Sequence, residues 1–183
     1  MKNIIFIAPP AAGKGTQSKL LSEKYNIPHI STGDLLRDEI NKETQLGNSI
    51  KKEMEQGNLI TDEVVLSLLE QRLIEKDCKD GYILDGYPRN VKQAIAYDAL
   101  ITKMNKDLGV VIFLDIDKDL ALERTISRVI CPKCGASYNL LIEDVKPKTE
   151  GICDRCSSKL NTRSDDNKES FLKRLDTYME KTS

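Results

Sequence analysis

Lys14 and Thr16, in the run Ala8-Pro9-Pro10-Ala11-Ala12-Gly13-Lys14-Gly15-Thr16, have the types and spacing of a phosphate cradle. In such a loop the backbone N–H groups and a helix N-terminus point at anionic oxygens, with the helix dipole behind them. The lysine adds a mobile point charge near the β- and γ-phosphates, and the threonine hydroxyl can ligate Mg²⁺. The competing reading, a solvated lysine in a first helical turn, ignores the strand–turn–helix context. The loop is also unusual. Ala8 stands where the usual pattern opens with glycine, and Ala11 and Ala12 stand where a tight loop often needs positive φ. An L-residue there costs about 1–2 kcal/mol.

A second constellation is Cys131-Pro-Lys-Cys134 and Cys153-Asp-Arg-Cys156, with eighteen residues between the two pairs. That spacing falls in the window for a zinc site. Four thiolates fill a tetrahedral ion completely, so the site would be structural, not catalytic. Such a site contributes about 10–16 kcal/mol at neutral pH, enough to order a segment poor in apolar side chains. A pair of disulfides and an iron–sulfur cluster are the rival readings. Cys78 stands alone and reads as a buried or bystander thiol.

These residues need elements to hold them. Ile4–Ile7 reads as a buried strand and Lys14–Tyr25 as the helix behind the loop, with Leu20 and Leu21 inward and Lys19, Glu23 and Lys24 outward. Ile27–Ile30 is a short strand. Ser31 and Asp34 then stand at capping-box spacing before another helix. Gly47 and Gly57 punctuate two short helical stretches. Thr61-Asp62-Glu63 caps a helix through Lys76, and Tyr82–Asp85 is a strand ending in a carboxylate. Asn90–Met104 is helical, Gly109–Ile116 is the strongest strand signal, and Lys118–Val129 is helical again. That last helix places Arg124 and Arg128 on one face. The cysteine block, Cys131–Arg163, is loop-rich, and Ser164–Met179 closes as a capped helix. Strands alternating with helices imply a parallel, doubly wound sheet with ligands at the carboxyl ends of its strands. A cysteine ribbon inserted after the helix bearing Arg124 reads as a flap over the nucleotide.

The composition fits this. The 183 residues are 39% hydrophobic and 31% charged with net charge −1, which suits one α/β domain carrying a small insertion. No global basic field argues for nucleic acid or an anionic membrane. No apolar run approaches the roughly 18 residues of a membrane span, so the chain is expected to be cytoplasmic, with cysteines that do not form disulfides.

At this point the sequence resembles the adenylate kinase family, in its bacterial form with a long zinc-binding lid. Gly13-Lys14-Gly15-Thr16-Gln17 is similar to that family's ATP loop, and Ser31-Thr32-Gly33-Asp34-Leu35-Leu36-Arg37 to its AMP-site signature. Asp85-Gly86-Tyr87-Pro88-Arg89 followed by Gln93, and Thr162-Arg163-Ser164-Asp165-Asp166, resemble its Asp-Gly-aromatic-Pro-Arg segment and its lid hinge. The resemblance implies a P-loop NTPase-like α/β fold, a parallel β-sheet flanked by helices. Residues 1–30, 61–130 and 164–183 would form the core, 31–60 a small helical AMP-binding insertion, and 131–163 a zinc-ribbon-like lid.

It also implies roles. Ala11, Ala12, Gly13, Lys14, Gly15, Thr16, Arg124, Arg128, Ser137 and Tyr138 would meet ATP. Thr32, Arg37, the backbone of Asn58, Leu59 and Ile60, and Gly86, Tyr87, Pro88, Arg89 and Gln93 would meet AMP. Arg163 and Arg174 would clamp the transferred group. Asp85, whose plainer reading is a strand-end turn residue, would hold Mg²⁺ through water beside Thr16. The catalytic set is then Lys14, Arg89, Arg124, Arg128, Arg163 and Arg174, acting on ATP, AMP and ADP in a monomer. Only eight of 28 basic residues are arginine, and six of those eight (all but Arg72 and Arg155) fall at these positions. A planar guanidinium fork suits phosphate oxygens better than an ammonium does. His29, the single histidine, reads as structural. Two rivals stay open: a kinase for another nucleoside monophosphate, such as UMP or CMP, and a non-catalytic nucleotide-binding ribbon module. Family members usually continue into a further strand and helix, so the Gly109–Ile116 strand is expected at an exposed sheet edge.

Overall fold

The computed structural model describes residues 3–56, 58 and 60–182; Gly57 and Leu59 lie outside them. Four parallel strands form the central sheet: β1 (Ile4–Ile7), β2 (His29–Ser31), β3 (Ile83–Asp85) and β4 (Val110–Phe113), in the order β2-β3-β1-β4. The register sets Phe6 beside Asp85 on one side and Ile112 on the other, with Ser31 beside Asp85. The loop after β1, the end of β2 and the carboxylate of β3 therefore open at one edge, where parallel sheets bind ligands.

Side chains alternate along a strand, and the two sheet faces pack different helices. Ile5, Ile30 and Leu84 join Leu69 and Leu73 of α4 (Asp62–Leu73) and Tyr97 and Ile101 of α5 (Val91–Lys103). Phe6, Ile27 and Ile83 pack with Leu21 of α1 (Lys14–Tyr25) on the other face. Between β2 and α4 lie α2 (Thr32–Asn41) and α3 (Gln45–Glu55). After β4 come α6 (Lys118–Ile126), a hairpin of β5 (Arg128–Ile130) and β6 (Ser137–Asn139), and α7 (Lys168–Lys181). None of the described helices is long and apolar enough to cross a membrane.

Several expected boundaries move. The helix before the cysteine block ends at Ile126, and Arg128 belongs to β5, so Arg124 and Arg128 do not share a helix face. Ser127 turns its hydroxyl back to Glu123 O and on to Asn139 Oδ1, a local bond that competes with helix continuation. β-branched Val129 and Ile130 then pair antiparallel with Tyr138 and Ser137. The closing helix begins at Lys168 and not at Ser164; its cap is Asn167, which accepts from Ser170 N at 2.8 Å. α4 stops at Leu73 rather than Lys76, and Thr61 makes no side-chain cap. Gly47 lies inside α3 instead of between helices, because α3 crosses α2 there and a Cβ would sit 2.6 Å from Glu39 O. Leu20 is exposed rather than inward, and Lys19 is half-buried, donating to Gly135 O. β4 is shorter than expected and is an outer strand, with Val110, Val111 and Phe113 exposed.

Candidate active site

The phosphate loop leaves β1 at Ala8 and enters α1 through Gly13. Ala11 has φ 59° and Gly13 φ 91°, so the expected strain falls on Ala11 and not on Ala12. Its methyl group packs beside Ala121, Phe171 and Leu175 of α6 and α7. Lys14 Nζ donates to Ala8 O at 2.9 Å and Pro9 O at 3.0 Å, folding the ammonium back over the loop. Burial pulls its pKa down to about 8, with Asp85 opposing and Arg89, Arg128 and Arg174 adding to the fall. Gly15 is beside Asp85, a Cβ there lying 3.6 Å from Oδ2. Thr16 is exposed in the first turn of α1.

Around this loop the structure gathers arginines from every quarter of the chain. Arg37 of α2 contacts Asp34 Oδ1 at 3.1 Å and Asp165 Oδ2 at 3.3 Å. Arg174 of α7 reaches the same Asp165 Oδ2 at 3.1 Å and lies 3.7 Å from Asp166 Oδ1. Arg128 of β5 forks onto Asp166, with Nε 2.8 Å from Oδ2. Arg163 approaches Asp34 at 3.6 Å. Burial, then Arg37 and Arg128, pull its pKa down to about 10. Arg89 donates from Nε to Gly86 O at 2.7 Å; burial lowers its pKa, with Asp85 opposing and Arg174 and Arg37 adding to the fall. Five arginines and Lys14 thus face Asp34, Asp85, Asp165 and Asp166, an excess of positive charge in a partly desolvated cleft. Among the described residues Arg163 Nε is buried without a hydrogen-bond partner. Buried donors are rarely left so, and a phosphate oxygen is a fitting acceptor.

Arg124, in the last turn of α6, stands apart from these ion pairs. Its carbonyl accepts from Asn139 Nδ2 at 3.1 Å, and its Nε is likewise buried and unpartnered. On the α2 side, Thr32 is buried and donates to Gly86 O at 2.9 Å. Gly86 has φ +83°, and a Cβ there would lie 3.0 Å from Thr32 Oγ1 and 3.2 Å from Arg89 Nη2. Gln93 is committed at both ends, accepting from Arg89 N and donating to Asp62 Oδ1, each at 2.7 Å. It fixes Arg89 through the backbone. Tyr87 is buried, edge-on to Tyr97 with centroids 6.1 Å apart. Pro88 lines a small apolar cavity with Ile5, Tyr97 and Val111. Asn58 bonds Glu53 through both its backbone N–H and its side chain, and Ile60 is buried in the core. The expected role of Leu59 lies outside the described residues.

The four block cysteines converge, all Sγ atoms lying within 4.8 Å of one another. Cys131–Cys156 is 3.4 Å and Cys134–Cys153 3.5 Å, far beyond the roughly 2.05 Å of a disulfide. A tetrahedron with metal–sulfur bonds of about 2.3 Å has edges of about 3.8 Å, so the cage could hold a single metal ion and has no room for a cluster with its own sulfides. Ser137 is exposed on β6, while the Tyr138 hydroxyl is 3.4 Å from Cys153 Sγ and accepts from Asp154 N at 2.9 Å. Tyr138 thus braces the cysteine cage. First through this hydroxyl, the Cys153 thiol is drawn down to about 6, toward the thiolate a metal needs.

Sequence reasoning underrated the carboxylates. Asp34, Asp165 and Asp166 occur in the quoted motifs, but nothing in their spacing shows that they pair with arginines as distant in the chain as Arg37 and Asp165, 128 positions apart.

A family model described as adenylate kinase matches residues 6–183. An adenylate kinase of Clostridium tetani is 48% identical over 180 residues, covering 98% of this chain and 82% of its own length. One from Thermotoga neapolitana is 46% identical over 183 residues, covering 100% and 82%, and one from Clostridium novyi is 45% identical over 179 residues.

Proposed function

The chain belongs to the adenylate kinase family, and we propose that the cleft between the phosphate loop, α2 and β5 is where its phosphoryl transfer takes place. The chain is a phosphotransferase that moves a phosphoryl group reversibly between ATP and AMP, giving two ADP. The reaction asks little of side-chain acid–base chemistry. An anionic α-phosphate oxygen of AMP forms a bond to the γ-phosphorus of ATP, the bond to the β-phosphate bridging oxygen breaks, and ADP leaves without any required proton transfer. Catalysis is then positioning plus neutralisation of charge on the equatorial oxygens.

In this reading the backbone of Ala11 to Gly15 and the Lys14 ammonium receive the ATP phosphates. Lys14 exchanges its bonds to Ala8 O and Pro9 O for phosphate oxygens. Arg37 and Arg89, with Thr32 and Gly86 bracing the latter, hold the AMP phosphate. Arg124, Arg128, Arg163 and Arg174 converge on the group in transit. Asp85 and the Thr16 hydroxyl are hard oxygen donors beside the loop, a set that fits Mg²⁺; with ATP bound, that ion would supply charge neutralisation between the phosphates. Residues 31–60 serve as the AMP insertion, 131–163 as the lid and the remainder as the core. The cysteine cage takes zinc as its structural ion, and closure excludes water that would otherwise accept the phosphoryl group. We take the enzyme to act as a cytoplasmic monomer.

The observation that carries this reading is the arginine ring: four guanidiniums paired with carboxylates, and Arg89 held on Gly86 O, around one loop lysine, with a buried donor left open. ADP formation from ATP with AMP, against UMP, CMP and GMP, tests it. AMP should be preferred by orders of magnitude; equal turnover of UMP or CMP would overturn the AMP assignment.

A further inference from the structure

The mechanism above gives no task to the half-buried His29. His29 opens β2, and its side chain is 12% exposed, beside an Asp85 side chain 11% exposed. In the parallel register His29 pairs with Ile83 and Ser31 with Asp85. His29 and Asp85 therefore project from the same sheet face, the face that α1 covers. There His29 Nε2 lies 3.3 Å from Asp85 Oδ2. Among the described residues this is the one hydrogen bond made to the Asp85 carboxylate; Oδ1 has none.

Asp85 sits among cations that attract it. It acts electrostatically on both Lys14 and Arg89, yet forms a direct ion pair with neither, whereas Asp165 and Asp166 are locked onto arginines. A buried carboxylate free to rotate would close on the nearest ammonium or guanidinium. That closure would remove a phosphate-binding cation and turn Asp85 away from Thr16. A second tie on one oxygen prevents it and leaves the other oxygen facing the loop.

We propose that His29 is a positioning residue: its Nε2–H holds Asp85 Oδ2, keeping the carboxylate off Lys14 and Arg89 and presenting Oδ1 to the cation that accompanies ATP. The inference rests on the reading of Asp85 given above. It requires the ring proton on Nε2, since a neutral ring protonated only on Nδ1 would set two acceptors against each other. Partners that orient a metal-binding carboxylate typically matter by about 10–100-fold when removed.

His29 is the single histidine of the chain, so its ring nitrogens give one unambiguous set of NMR signals. In the nucleotide- and metal-free protein, ¹⁵N shifts should report a proton on Nε2 that exchanges slowly with water, and Asp85→Ala should speed that exchange. A ring protonated only on Nδ1, or exchange unchanged in Asp85→Ala, overturns the contact whatever the role of Asp85. In kinetics, His29→Leu should lower kcat and raise the Mg²⁺ concentration for half-maximal rate, each about tenfold, with KM for AMP little changed. His29→Gln, which keeps an N–H donor, should recover most of both. Equal Mg²⁺ dependence in wild type and His29→Leu, or equal impairment of both variants, overturns the positioning role. If His29→Leu fails to fold, His29→Gln and the ring-proton measurement decide. A slow-exchanging Nε2 proton together with normal Mg²⁺ dependence in Asp85→Ala would instead show that the contact is real and the reading of Asp85 wrong.

Discussion

Arg89 illustrates how much one side chain can depend on its neighbours. Its backbone N–H is held by Gln93, its Nε by Gly86 O, and its carbonyl by Thr182 at the end of α7. The guanidinium is therefore oriented before substrate arrives, which is how electrostatic catalysis avoids reorganisation. Arg89→Ala should lower turnover by about 10²–10³ while thermal unfolding stays near wild type; near-wild-type turnover would remove Arg89 from the mechanism. Lys14 gives a pH prediction. In the free protein its pKa is about 8, held down mainly by burial, so it loses charge as pH rises through that value. Bound phosphate raises the pKa, so between the two values binding takes up a proton. Calorimetry at about pH 9, in buffers of different ionisation enthalpy, should show proton uptake and weaker ATP binding than at about pH 7; absence of both would show that Lys14 is already charged. Ala11 sets opposed effects against each other. Ala11→Gly relieves about 1–2 kcal/mol of left-handed strain, but loses a packed methyl worth about 0.8 kcal/mol and gains unfolded-state freedom of about 0.4–1 kcal/mol. Denaturant unfolding should place the variant within about 1 kcal/mol of wild type. A gain well beyond that would mean the loop stores more strain than its φ implies.

Among the elements, the cysteine block depends most on something other than its own apolar core. Its buried cluster is small, Cys131, Ala136, Cys153 and Leu160, and its pairing is limited to the β5–β6 hairpin and two isolated bridges. Such a segment cannot offset its ordering entropy through apolar burial alone. Fresh protein should carry one zinc per chain. Chelation should abolish amide protection across 131–163 while β1 and β3 keep theirs; metal well below one per chain, or an unchanged block after chelation, would count against the cage. Lys19 to Gly135 O and Arg155 to Glu23 then tie the cysteine block to α1.

At the scale of the whole molecule, the outer strand β4 exposes apolar side chains. Among the described residues β4 pairs with β1 alone, and Val111 and Phe113 are 50% and 60% exposed. An unpaired apolar edge is a template for further strand pairing. Phe113→Lys should reduce concentration-dependent light scattering and leave ADP formation unchanged; equal scattering in both proteins would place any self-association elsewhere.

The sequence determined what was local. The β1-to-α1 junction, the Ser31 cap, Asp85 at a strand end and the paired cysteines were legible because strand pattern, turn residues and ligand spacing act over a few positions. Helix ends were less legible. Ser127 and Asn167 settled them through side-chain bonds no periodicity reveals, and so Arg128 moved from a shared helix face to a strand. Only the tertiary structure decided which charges meet. Arg37 and Arg174 share Asp165, Arg128 takes Asp166, and His29 reaches Asp85 across 56 positions. The physical reason is one of distance. Coulomb and hydrogen-bond energies depend on separation in space, which is fixed by how β2, β3 and α7 pack and not by their order in the chain.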